Sequence, residues 1–179
     1  MQRTLLAALL GGIVVFAWGA LAHMALPIGE MGFSEHPAEA GVLQSIAAAT
    51  PESGVYMLPQ TVMEKQEEGS HGPYAMLVFK KDMPYVMGMG QLGLEFVSGF
   101  LAALVAAMLL CCGACGTSLL CKATAVMSLG IFAWFSISVS HWNWYGYSNG
   151  MLIGEGLEQA IGWFLAGLAM AAVLKPKAA

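Results

Sequence analysis

The chain has 179 residues, 58% of them hydrophobic and only 10% charged, with a formal net charge of −4. A soluble domain carries about a quarter charged residues, so this composition excludes an ordinary globular domain and implies an integral membrane protein, with the lipid bilayer as its surroundings. The acidic balance offers no basic stripe to neutralise phosphates, which excludes nucleic acid as a partner.

Residues 1–26 carry the first apolar run, Leu5–Leu26, near the roughly 20 residues that a spanning helix needs. The same start, with a basic residue, an apolar stretch and small residues at Ala20 and Ala22, also fits a cleaved signal peptide. The run is longer than the usual leader core, and Trp18 sits close to that cut, so a retained first span is the reading adopted. A mature chain beginning at His23 would remove it.

Residues 27–88 form the one region of soluble character, an extracytoplasmic α+β insertion. "FSEHPAEAGVLQSIAAATP" predicts a short helix with Ser34 as N-cap and Pro37 in the first turn. Val42, Leu43 and Ile46 supply an apolar stripe, and Thr50-Pro51 ends it. "GVYMLP" and "GPYAMLVFK" predict two strands joined by a polar connection. A structural cap is the plain reading of this insertion; a surface for a protein partner is the other.

Residues 89–179 contain three more apolar runs, Met89–Cys112, Leu119–Ser140 and Met151–Leu174. The turn after the second span holds Cys111, Cys112, Cys115 and Cys121. On the cytoplasmic side disulfides are not expected, and these thiols read as ordinary small residues at helix ends or, less simply, as a soft-metal cluster. The turn "HWNWYGYSN" places Trp142, Trp144, Tyr145 and Tyr147 as an interfacial anchor. Arg3, Lys122, Lys175 and Lys177 flank the spans on one side, which makes both termini cytoplasmic. The fold class expected is an all-α membrane protein, a four-transmembrane-helix bundle carrying the small insertion.

The two hairpins resemble one another. Phe16, Trp18 and His23 match Phe132, Trp134 and His141; Gly93-Leu94-Glu95 with Gly99 matches Gly156-Leu157-Glu158 with Gly162. The matches fall in the same order and involve residues rare in lipid-facing sequence. A tandem repeat about an axis along the membrane normal follows.

Such a repeat would gather His23, Glu95, His141 and Glu158 at similar depth, with Glu30 and Glu155 as weaker additions. A carboxylate facing lipid near the bilayer centre costs about 2.5–3.5 kcal/mol on insertion scales, so Glu95 and Glu158 should face the interior or water. Two imidazoles and two carboxylates suit a divalent metal (zinc, manganese or iron). The same groups also suit a proton path, and His23 with His141 could hold haem b. Against these stands a polar clamp that only locks helices, as in an accessory or scaffold subunit. A membrane-embedded enzyme is the third class, but no nucleophile or substrate pocket can be named. The methionines Met83, Met87 and Met89 read as packing rather than copper ligands.

The stretches "FAWGALAHMALPIGE" and "SGVYMLP" resemble small four-helix bacterial inner-membrane proteins. The resemblance implies that location and no particular activity. Oligomeric state has no signature in the sequence.

Overall fold

The computed structural model describes residues 1–60, 72–84, 87–113 and 115–174. Four helices are long and apolar enough to cross a membrane: α1 (Gln2–Met24), α3 (Met89–Cys111), α4 (Leu119–Tyr145) and α5 (Asn149–Val173). All four apolar runs are therefore helical. The chain divides into two compact units, the four helices with the segment after α1, and Ser34–Val86.

In the smaller unit, α2 spans Glu39–Ala49, shorter than the sequence pattern implies. Ser34 does not cap it. A residue before proline avoids the helical region, so the helix begins only after Pro37, and His36 Nδ1 accepts the Ala38 N–H across the turn. Strands β1 (Gly54–Leu58) and β2 (Ala75–Phe79) pair antiparallel, with Tyr56 opposite Leu77. Both predicted strands form. Their polar connection, with Glu64, Lys65, Glu67 and Glu68, lies outside the described residues.

In the larger unit, α1 packs on both α3 and α5, and α5 packs on α4, while α3 and α4 scarcely touch. The helix ring is thus closed on three edges and open on the fourth. Alanine decides where it closes. One core cluster joins Ala7 and Ala8 of α1, Ala106 and Ala107 of α3, Val126 of α4, and Ala166 and Met170 of α5. Small side chains let apolar helices approach closely enough for dispersion contacts to add up. All these residues lie in the half near Lys122. Toward the His23 end few side chains are buried, and contact is kept mainly along α5, where Trp18 meets Gly162 and Trp134 meets Gly156.

α4 continues past its predicted end through a π-helical turn, Trp134–Ser138, so Trp142, Trp144 and Tyr145 extend the helix instead of forming a loop. Gly146, with φ of 72°, ends it in the left-handed region that glycine adopts freely. Ser148 then caps α5, accepting the Met151 N–H at 3.1 Å.

At the opposite end Lys122 is only 4% exposed, yet its Nζ donates to the Leu174 carbonyl at 2.9 Å. The cation thus meets an orphan carbonyl at the negative end of the α5 dipole. Lys122→Met is expected to cost about 1–2 kcal/mol and to speed hydrogen exchange in the last turn of α5. Unchanged exchange there would show that the cap contributes nothing.

Candidate functional site

Toward the His23 end a groove of about 550 Å³ opens, walled by α1, α3 and α5. α1 contributes Val15, Phe16, Gly19 and His23, about 12 Å of helix at 1.5 Å per residue. α3 contributes Glu95, Ser98 and Gly99, and α5 contributes Glu158, Gln159, Gly162 and Trp163. These are the faces that helical spacing groups together on each span.

Glu158 is the point on which the site converges. His23 Nε2 lies 3.2 Å from its Oε2, so the last turn of α1 is tied to the third turn of α5. The side chains are 55% and 28% exposed, so solvent screening keeps the pair weak as a stabiliser, below about 1 kcal/mol. Trp18 Nε1 donates to the Glu158 backbone carbonyl at 3.1 Å. Gly162 makes this possible: a Cβ there would stand 2.7 Å from Trp18 Cδ1, in the space of the indole, whereas one on Gly19 would lie at ordinary contact, 3.5 Å from Glu158 Oε1.

A short 3-10 turn, Pro27–Glu30, folds back beside α1 and α5 and fixes the His23 ring from behind. A side chain at Gly29 would collide with that ring. His23 is therefore set between the turn and Glu158.

Glu95 enters the groove from α3, and Ser98 Oγ donates to its backbone carbonyl at 2.9 Å. Its carboxylate has no hydrogen bond or ion pair among the described residues. Gln159 is held by Trp163, whose Nε1 donates to Gln159 Oε1 at 2.9 Å. Gln159 shares the Glu158 face by helical spacing alone, and Trp163 follows it by four residues on the same helix.

The structure brings together His23, Glu95 and Glu158 but leaves His141 outside the groove. The His141 ring lies against Tyr145 and Tyr147, with centroids 5.6 and 5.4 Å away. The reason is the open edge. A two-fold repeat would pack α4 on α3 as α1 packs on α5, and that contact is nearly absent. Glu30, exposed in the 3-10 turn, and half-buried Glu155 do not line the groove either. Among the described residues no three His, Cys, Asp or Glu side chains gather closely enough to hold a metal ion. The six-residue His/Glu ligand set is therefore not assembled, and among the described residues His23 has no second imidazole across the groove as haem would require.

The thiols also differ from expectation. Cys115 and Cys121 are paired as a disulfide, with Cα atoms 5.4 Å apart, while Cys111 and Cys112 are free and exposed. The N-cap of α4 produces this approach: Ser118 N donates to the Cys115 carbonyl, and Ser118 Oγ accepts the Cys121 N–H. With two of the four sulfurs joined, no soft-metal cluster of four thiolates forms.

The aromatic anchor residues sit at the end of α4. Trp142, Trp144 and Tyr145 are exposed, and Trp142 Nε1 donates to Asn149 Oδ1 at 2.8 Å. No family model matches the chain, and neither curated proteins nor solved structures give a match.

Proposed function

We propose that this is a multi-pass protein of the bacterial inner membrane, both termini cytoplasmic, whose groove handles protons through His23, Glu95 and Glu158. The observation that carries the reading is the His23–Glu158 contact in a groove that Glu95 also lines, open at the outer half of the spans. Ionisable side chains are kept in apolar spans for such pathways, because each costs insertion energy. A proton needs no preformed ligand cage, so it suits this set better than a resident metal ion. The side of the termini rests on Arg3 and Lys122 flanking short segments at one end. The Cys115–Cys121 pairing in that turn argues the other way, because cytoplasmic thiols stay reduced, and the basic residues are given the greater weight. The matching motifs read as a duplication in which one of two equivalent helix edges has opened.

Dicyclohexylcarbodiimide, which modifies protonated carboxyls in apolar surroundings, tests this in proteoliposomes with the adducts mapped by mass spectrometry. Adducts are expected on Glu95 and Glu158 and not on Glu35 or Glu39. Labelling of Glu158 should rise in His23→Ala. A groove whose acids take no label would not exchange protons.

A second reading has its own support: α1 sends both His23 and Trp18 to Glu158, which makes the same residue a staple between helices. In that case the protein is an accessory or scaffold subunit, and His23→Ala would lower stability while leaving Glu158 unlabelled.

A further inference from the structure

The groove's lining is unbalanced in charge. It holds two carboxylates and one imidazole, and no Lys or Arg lines it. His23 answers Glu158, but nothing among the described residues answers the Glu95 carboxylate. The rest of the wall is apolar or aromatic: Val15, Phe16, Leu92, Ala102 and the indoles of Trp18 and Trp163.

We infer that the groove binds hydrophobic cations, molecules that carry one positive charge on an aromatic or alkyl body. The inference rests on the proposed reading that Glu95 and Glu158 face the groove as ionisable acids. Each alternative ligand class leaves something unmet. An anionic headgroup would meet two carboxylates with no basic partner. A neutral lipid chain would fill the apolar wall and leave Glu95 without a counter-charge. A bare divalent ion lacks three gathered ligands. A hydrophobic cation meets all three conditions, since its charge lies beside Glu95, its body lies on Phe16 and Ala102, and indole faces attract cations. Entry is lateral, through the open edge between α3 and α4.

The test is equilibrium dialysis of the full chain in lipid nanodiscs, using tetraphenylphosphonium and its size-matched anion tetraphenylborate, with empty nanodiscs subtracted. Saturable binding of the cation alone is expected. Glu95→Gln should weaken it about tenfold. Gly99→Trp supplies a variant that keeps every charge. A Cβ there meets no atom within 4 Å, so the indole can fill the groove without disturbing the packing, and binding should be lost. The cation should also protect Glu95 from carbodiimide. Equal uptake of both ions, or cation binding unchanged in Glu95→Gln and Gly99→Trp, would overturn the inference. Carbodiimide labelling without saturable cation binding would sink the ligand class and leave the proton reading standing. Absence of labelling would remove the reading on which both rest.

Discussion

Gly162→Leu is expected to destabilise the helical unit by about 2–4 kcal/mol, the sum of overpacking a filled site and losing one hydrogen bond. The added side chain would occupy the space of the Trp18 ring, whose Cδ1 already lies 2.7 Å from where its Cβ would stand. Trp18 would have to leave, and with it the bond to the Glu158 carbonyl. Denaturation in a graded detergent mixture, followed by tryptophan fluorescence, measures the loss. Gly93→Ala is the matched control. Nothing lies within 4 Å of a Cβ there, so the better helix former should leave stability unchanged or raise it by about 0.5–1 kcal/mol. Equal behaviour of the two variants would show that the Trp18 notch does not hold α1 to α5.

That contact matters beyond stability because Trp18 and His23 reach the same residue of α5 from one helix. The indole sets the axial register of α1 against α5, and the imidazole then meets the carboxylate at 3.2 Å. A shift of one helical turn, about 5.4 Å, would break the second contact outright. Local packing by glycine and tryptophan thus sets the geometry of the polar groove.

Much of this was legible in the residues. Continuous apolar runs located the four helices long and apolar enough to cross a membrane to within about five residues at each end. Helical spacing put Glu95, Ser98 and Gly99 on one face and Glu158, Gln159 and Gly162 on another, and both faces line the groove. What helical period cannot encode is which neighbour a face meets. The like motifs of the two hairpins imply like surroundings for His23 and His141, yet of the two helices that carry them α1 is packed on both flanks and α4 essentially on one. The alanines that gather the core near Lys122 carry no distinctive pattern, so the placing of the core at that end was hidden. The Cys115–Cys121 pairing depends on a tight turn through Ser118, a feature of three-dimensional approach that spacing alone leaves open. Two local boundaries were misplaced: α4 runs on to Tyr145, and α2 starts only after Pro37, which supplied enough information to avoid the second error.

Gly150→Val is expected to be the most damaging change outside the groove. A Cβ at Gly150 would collide with the Met31 carbonyl oxygen, and the neighbouring Gly154 is similarly close, 2.9 Å from its Cβ position to the Ile28 carbonyl. Both obstacles are backbone, which cannot rotate away as a side chain can. The segment after α1 is also pinned there by Ser148 Oγ, which donates to the Gly32 carbonyl at 3.1 Å. The cost should reach about 3 kcal/mol, because the turn Pro27–Glu30 must lift off α5. Gly29 would then withdraw from the His23 ring that it supports, and His23 would loosen from Glu158. Two signals should therefore move together: faster amide hydrogen exchange in residues 28–33, and carbodiimide labelling of Glu158 raised to the level of His23→Ala. Faster exchange with labelling of Glu158 unchanged would mean that the turn does not position His23, and that the imidazole is held by α1 alone.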